Sequence, residues 1–371
     1  MNSPIVKKTN LIITLVHLGK QPDAHYWLNL NKISRDFPSI QVSAVVSKGV
    51  ERDPILSSEI SVYEYTPSPD VEKIFELHNY DHNFRGGFWR YTLERLFAIT
   101  QFHETLPDKK ILHVESDVLL LPNFPFAKIE KLNELSWCRF NEAKDVSSVL
   151  YIPDLDSSLS LREKLLDELK MDNTLTDMTI LNRISRNNPS IHIFPSLNGE
   201  LPKLQNRLNL MCDPREYEIC SNDDFNGIFD PAAIGMWLTG LDPRNYYGIT
   251  KIHDRGIIDT GDSYVDASQY TYKFDSQSRL SISGDGISKE LFCLHIHSKN
   301  SKLFGDGWEK ELRRLVELSE DKEPISKFKF AICANLILVN IRQKTLLSLV
   351  IGIPIMQKLR RNINRYRSAI Q

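Results

Sequence analysis

Short apolar runs alternate with helically spaced stretches through most of the chain. Leu11–Val16 (LIITLV) is rich in β-branched residues and bounded by polar ones, the pattern of a strand buried on both faces. The polar turn His17–Pro22 follows, and then a helical pattern around Tyr26–Phe37. Gln41–Ser47 (QVSAVVS) and Ile60–Tyr65 predict a second and a third strand. Phe88, Tyr91, Leu96 and Ile99 recur at helical spacing, with Arg90, Glu94 and Arg95 between them, so Phe88–Phe102 predicts an amphipathic helix. Lys110–Val114 (KILHV) predicts the next strand, Leu159–Lys170 and Thr176–Arg186 two helices, and Ile191–Phe194 another strand. Asp230-Pro231 opens a short helix running through Leu238, since Asp is a good N-cap and Pro suits the first helical position. Phe292–His297 (FCLHIH) predicts a late strand. Buried strands alternating with helices are the mark of an α/β fold with parallel strands.

Composition narrows this little. The 371 residues are 41% apolar and 25% charged, which excludes collagen-like, mucin-like and disordered chains and suits two domains, or one large domain with a tail. The net charge of −2 names no partner, but its distribution is uneven. From Ile325 to Gln371 there are nine Lys or Arg and no acid, which leaves the first 324 residues at −11. Asp321–Pro324 is the natural boundary, dividing the chain into a body, 1–324, and a basic helical tail, 325–371. The tail's apolar runs, Ala331–Ile341 and Thr345–Met356, are separated by Arg342 and Lys344, and each falls short of the ~18–20 residues that span a bilayer. They suit a helix lying on a membrane with Lys358–Arg367 on anionic headgroups; a helical pair packed on the body is the other reading. A nucleic-acid arm is disfavoured, because the tail is apolar-rich and the body acidic. Five cysteines (Cys138, Cys212, Cys220, Cys293, Cys333) form no C-x-x-C pair, which suits a reducing compartment. Leu11–Val16 is too short for a signal-peptide core, so the expected location is the cytoplasm, with the tail reaching the inner face of the cell membrane.

Candidate chemistry concentrates in four places. In Lys110–Phe126 (KILHVESDVLLLPNFPF) a buried strand ends on two carboxylates, Glu115 and Asp117. Open α/β sheets bind ligands at the carboxyl ends of their strands, and acids there offer hard oxygen ligands to a divalent cation; a solvated acidic turn is the plain alternative. Leu294–Asn300 (LHIHSKN) puts His295 and His297 on one strand face, followed by Lys299. Asn222–Asn245 mixes acids with small residues and Trp237, a sugar-stacking platform or a core residue; Asp230 within it is an acid to test or simply a helix cap. Arg85 and Arg90 flank Gly86-Gly87 before a helix start, where a phosphate could be received. There is no G-x-G-x-x-G and no G-x-x-x-x-G-K-[ST], so neither a dinucleotide site nor a P-loop is supported.

His113–Phe124 (HVESDVLLLPNF) resembles the D-x-D region of GT-A glycosyltransferases, with Glu115 in place of the first Asp. Leu175–Asn182 (LTDMTILN) resembles the D-Q-x-x-L-N segment of glycogenin-like and lipopolysaccharide galactosyltransferase-like enzymes, with Met178 where the Gln usually stands. The resemblance covers roughly Leu11–Asn300 and is three motifs deep. It implies a GT-A (Rossmann-like) mixed sheet flanked by helices. It further implies a hexosyltransferase-like enzyme that moves sugar from a nucleoside-diphosphate sugar to a glycan or lipid-linked glycan, in cell-surface polysaccharide or lipopolysaccharide synthesis. In that case Asp117, Glu115, His297 and His295 are the expected ligands of Mn²⁺ or Mg²⁺. Lys299, Arg85, Arg90 and Trp237 are the expected donor contacts, and Asp177 and Asp230 the expected catalytic acids, with Asp259 a further candidate base. A sugar-phosphate or nucleotidyl transferase is the nearest alternative, though the loop after the first strand is neither Gly-rich nor Arg-bearing. A non-catalytic sugar-binding subunit is the alternative from another class.

Overall fold

The computed structural model describes residues 9–79, 84–197, 214–240, 263–265, 267–284 and 286–320. The basic segment 325–371 lies outside them. The first six residues of β1 (Leu11–His17) are buried, because the strand is covered on both faces. Ile12 and Val16 face one cluster of apolar side chains and Leu11, Ile13 and Leu15 the other, as the two-residue period of a strand dictates. β1 pairs in parallel with β2 (Gln41–Ser47) and with β4 (Lys110–Val114), and β2 in parallel with β3 (Ser61–Tyr65). The Leu11–Val16, Gln41–Ser47 and Lys110–Val114 runs thus form strands where their pattern predicts them, in an α/β sheet flanked by helices.

The seven-stranded sheet has the order β3-β2-β1-β4-β7-β6-β8 and is mixed. β7 (Lys144–Ile152) runs antiparallel to both β4 and β6 (Ser136–Asn141), and β8 (His192–Phe194) closes the edge parallel to β6. Helix α1 (Ala24–Asp36) covers one face with Tyr26, Trp27, Leu30 and Ile33. Helices α3 (Phe88–Glu104), α5 (Leu155–Met171) and α6 (Asp177–Asn187) cover the other with Leu96, Leu165 and Ile180 among others. A further helix, Trp308–Glu320, touches α1 where Lys32 Nζ sits 4.3 Å from the centre of the Trp308 ring.

Two parts of this architecture have no clear signal in the apolar pattern. β6 and β7 carry Arg139, Asp145, Ser147 and Ser148 into the interior, which breaks the apolar alternation expected of a strand. The Asp145 carboxylate is fully buried and accepts from Trp137 Nε1 (2.9 Å), Arg139 Nε (2.9 Å), Asn182 Nδ2 (2.9 Å) and Ser185 Oγ (2.6 Å). Two of those donors lie on α6, so this one acid fixes how α6 sits on the sheet. A second sheet, β10 (Thr271–Phe274), β11 (Leu280–Gly284), β12 (Ile287–Leu291) and β9 (Gly227–Ile228), is likewise absent from the pattern. Its exposed positions are Thr271, Lys273, Ile287 and Ser288, with no regular apolar alternation.

The late strand is shorter than predicted. β13 spans Cys293–His295 and pairs antiparallel with β5 (Val118–Leu120), His295 opposite Val118. The chain then turns, with His297 N donating to the carbonyl of His295 and Lys299 adopting φ +53°. Among the described residues no helix is long and apolar enough to cross a membrane. Cys138 and Cys293 are free and buried, and Cys220 is buried as well.

Replacing Asp145 with Ala removes the shared acceptor of Trp137, Asn182, Ser185 and the buried Arg139, whose remaining carboxylate partner is Glu216 at 3.3 Å. Loss of about 3–5 kcal/mol is expected, read as a lowered denaturant midpoint at unchanged m-value.

Candidate metal and diphosphate site

β4 ends at Val114, and the backbone leaves the sheet edge in the tight turn Glu115–Val118. Glu115 N donates to Ser148 O (3.0 Å) and Val118 N to Glu115 O (3.0 Å), which fixes the turn against β7. From α1, the buried Asn29 donates both amide protons to this turn, to Ser116 O (3.0 Å) and Val118 O (2.9 Å). The β5–β13 pairing and a bond from Ile296 N to Asp117 O (2.6 Å) then bring the late strand alongside. Residues 180 apart in sequence are thus placed in contact.

His295 Nε2 lies 3.3 Å from Glu115 Oε2 and 3.3 Å from Asp117 Oδ1. Lys299 Nζ lies 3.4 Å from Asp117 Oδ2. One ligand atom from each of Glu115, Asp117 and His295 falls within 4.8 Å of the others, the spacing of groups that can share an ion. The donor set, two carboxylates and an imidazole, is one that a divalent cation accepts. The ring of His297 stacks on that of His295 at 4.3 Å between centres and 29° between planes. His297 Nε2 is buried with no hydrogen-bond partner among the described residues, an orphan that fits a ligand approaching from this side. The imidazole in reach of both carboxylates is therefore His295, while His297 backs it.

Burial would raise the Asp117 carboxyl, but Lys299 and His295 beside it hold it well below the usual carboxylate range. Burial likewise opposes charge on His295, yet Asp117 and Glu115 carry its pKa up to about 9. For His297, burial and the neighbouring His295 both act against protonation and push it down to about 3. On the far side of Lys299, His25 of α1 is lowered to about 4, by burial first and then by the Lys299 charge.

Arg95, on the inner face of α3, joins this cluster to a third element. Its guanidinium donates to Glu115 Oε1 (2.7 Å), Ser147 Oγ (3.0 Å) and Asp177 Oδ2 (3.3 Å). Asp177 is not needed as a cap. Thr176 and Thr179 form a reciprocal capping box, Thr176 N donating to Thr179 Oγ1 (2.8 Å) and Thr179 N to Thr176 Oγ1 (3.3 Å). The Asp177 carboxyl is thereby left to face Arg95, with burial raising its pKa and Arg95 opposing the rise.

The other expected site residues go elsewhere. Asp230 is fully buried and saturated, Oδ1 accepting from Ala232 N (2.9 Å) and Ile234 N (2.9 Å), Oδ2 from Gly235 N (2.7 Å) and His295 N (3.0 Å). It positions the strand that carries His295 and presents no oxygen to a substrate. Gly235 belongs to the same contact, since a Cβ there would lie 2.0 Å from His295 O. Trp237, on the short helix Ala233–Thr239, is 4% exposed and packs in the core. Arg90 is turned toward α2 (Pro69–Leu77), bonded to Glu94 (2.8 Å) and Glu72 (3.4 Å) with its guanidinium over Phe75. The Arg85 side chain and Asp259 lie outside the described residues. Arg95 and Asn29 have site roles that their sequence context does not single out. The only available signal for Arg95 is its place on one helical stripe with Phe88.

No protein-family model matches the chain, and no curated protein does. Comparison with solved structures finds the galactosyltransferase LgtC in complex with donor and acceptor sugar analogues, 12% identical, with a TM-score of 0.36 over 57% of this chain and 83% of that one. An active-site mutant of LgtC matches at 12% identity and a TM-score of 0.37, with the same coverage. A glycosyltransferase involved in glycosylation of the major capsid of PBCV-1 matches at 16% identity and a TM-score of 0.24, over 42% of this chain and 65% of that one. With TM-scores below 0.5 these likenesses decide neither fold nor function, which rest on the chain's own geometry.

Lys299 reaches Asp117 from a left-handed backbone that costs a non-glycine residue about 1–2 kcal/mol. Lys299→Gly is therefore expected to exceed Lys299→Ala in stability by about 1 kcal/mol, because both lose the ion pair and only glycine loses the strain. Equal unfolding midpoints for the two would show the conformation to be unstrained.

Proposed function

We propose that this protein is a metal-dependent glycosyltransferase using a nucleoside-diphosphate sugar. The observation that supports this best is the convergence of Glu115, Asp117 and His295 with Lys299 on one side and the Arg95–Asp177 pair on the other. The cluster sits where parallel strands end, the place at which open α/β sheets receive their ligands.

Glu115, Asp117 and His295 would hold the divalent ion, Mn²⁺ or Mg²⁺. Bound there, it supplies positive charge for the diphosphate that leaves as the glycosidic bond breaks. Lys299 adds a fixed cation on the same side, already aligned before substrate arrives, so little reorganisation is needed as negative charge develops. Asp177 is the one of the three candidate acids that the described site offers, since Asp230 is sealed and Asp259 lies outside the described residues. Arg95 fixes the orientation of Asp177 and opposes the rise that burial gives its pKa. The acceptor is read as a glycan or lipid-linked glycan of cell-surface polysaccharide or lipopolysaccharide type, and the location as cytoplasmic.

UDP with Mn²⁺ is expected to raise the melting temperature of the protein by several degrees; at a concentration about 100-fold above Kd the stabilisation is about 2.7 kcal/mol. Chelation should reverse it, and Asp117→Ala should abolish it while retaining the fold by circular dichroism. No shift with any nucleoside diphosphate would favour the non-catalytic sugar-binding reading instead.

The composition of 325–371 supports attachment of this region to an anionic membrane surface, with the acceptor held there. Full-length protein is expected to co-sediment with phosphatidylserine vesicles in a salt-sensitive manner, and a 1–324 truncation to remain in the supernatant; equal behaviour of the two removes the proposal.

A further inference from the structure

The geometry points to a further phosphate contact beside the acidic turn: His25 and the uncapped first turn of α1, which together with Lys299 hold a phosphate oxygen of a nucleoside diphosphate. His25 is 6% exposed, and its ring nitrogens make no hydrogen bond among the described residues. Buried polar groups ordinarily find a partner. His25, Asn29 and Lys32 are buried polar residues on a single stripe of α1. The last two are accounted for: Asn29 bonds the acidic turn, and Lys32 pairs with Asp36 and lies over Trp308. His25 alone is left over.

Its place relative to the site follows from Asn29. Four residues apart on a helix, the two side chains share a face, with about 5–6 Å between their Cβ atoms. Asn29 Nδ2 reaches the carbonyls of Ser116 and Val118 at 3.0 and 2.9 Å, so His25 stands one turn from the residues that flank Asp117. Helical side chains lean toward the N-terminus, which carries the His25 ring over the open end of α1. From the other side, Lys299 pairs with Asp117 at 3.4 Å. The chain then runs through the short turn Ser301–Leu303, packed on α1, to Phe304, whose ring lies 6.1 Å from that of His25. At the start of α1, Asp23 is extended and exposed and makes no side-chain hydrogen bond to the helix, and no acid stands in the first turn. The amides of such an end face outward with partial positive charge.

A phosphate oxygen is the occupant this corner suits. Burial first, and then the charge of Lys299, hold the His25 ring neutral, so it offers one N–H donor. The helix start, the Lys299 ammonium and that N–H all favour an anionic acceptor. The Asp23 carboxylate opposes an anion, but it is exposed, where water and salt screen it. This deepens the transferase reading and rests on it for the identity of the nucleotide, though not for the binding of phosphate.

The test is calorimetric titration of full-length protein in saturating Mn²⁺ with UDP, ADP, GDP and CDP and, separately, with inorganic pyrophosphate. The unfolding midpoint and Mn²⁺ affinity of each unliganded variant are measured first. His25→Phe keeps a ring against Phe304 and removes both nitrogens. It is expected to weaken pyrophosphate and the preferred nucleotide about tenfold each, equivalent to about 1.4 kcal/mol, with midpoint and Mn²⁺ affinity unchanged. His25→Gln keeps a side-chain N–H and is expected to recover most of the affinity. Unchanged affinity for both ligands in His25→Phe, no recovery in His25→Gln, or a wild type that binds neither ligand overturns the assignment. So does loss of Mn²⁺ binding or a lowered midpoint in both variants, since His25 then serves the ion or the fold. A weakened nucleotide with unchanged pyrophosphate puts His25 on the nucleoside and overturns it too. His25-dependent binding of pyrophosphate by a wild type that binds no nucleoside diphosphate leaves the phosphate contact standing and removes the transferase reading.

Discussion

The pairing of two three-residue strands, β5 and β13, is the constraint on which the candidate site depends. It sets His295 opposite Val118, one residue from Asp117 and three from Glu115. Side chains alternate along a strand, so a slip of one residue would turn the imidazole to the other face and leave the two acids without a partner. Two such short strands carry few hydrogen bonds, and the register is secured from behind. The buried Asp230 carboxylate takes the His295 amide, and the backbone of Gly235 packs against the His295 carbonyl. Three independent contacts thus fix one residue.

What is held there is electrostatically expensive. Glu115, Asp117 and Asp177 are three acids with little access to water, and like charges so placed repel. Arg95 answers two of them at once, while Lys299 and His295 answer the third. Buried ion groups of this kind seldom stabilise a fold relative to apolar side chains of the same volume. Their use is a fixed charge pattern that exists before a ligand arrives.

The legible parts of the sequence were those where burial and chemistry follow a simple period. β1, β2 and β4 are buried on both faces and so read as unbroken apolar runs. The two outer halves of the site, His113–Phe124 and Leu294–Asn300, stood out because polar residues interrupt such runs abruptly. β6 and β7 were illegible for the opposite reason: Arg139, Asp145 and two serines are satisfied inside by a network that only the folded chain assembles. Arg95 was one cation among several on an amphipathic helix, and nothing local distinguishes it from Arg90, which pairs with Glu72 and Glu94 instead. His295 and His297 were placed together, but which of them meets the acids depends on where β13 ends, and that is set by a turn rather than by pattern.

Asn29 has one further effect. By holding the carbonyls on either side of Asp117, it makes α1 a splint for the acidic turn, although the helix otherwise serves the opposite face of the sheet. One turn further along, the same helix carries Lys32 against Trp308, at the head of the last described helix. α1 therefore ties the acidic turn to the head of the Trp308–Glu320 helix through one amide and one cation–π contact, so a displacement of that helix is carried to the carboxylates through a single rigid rod.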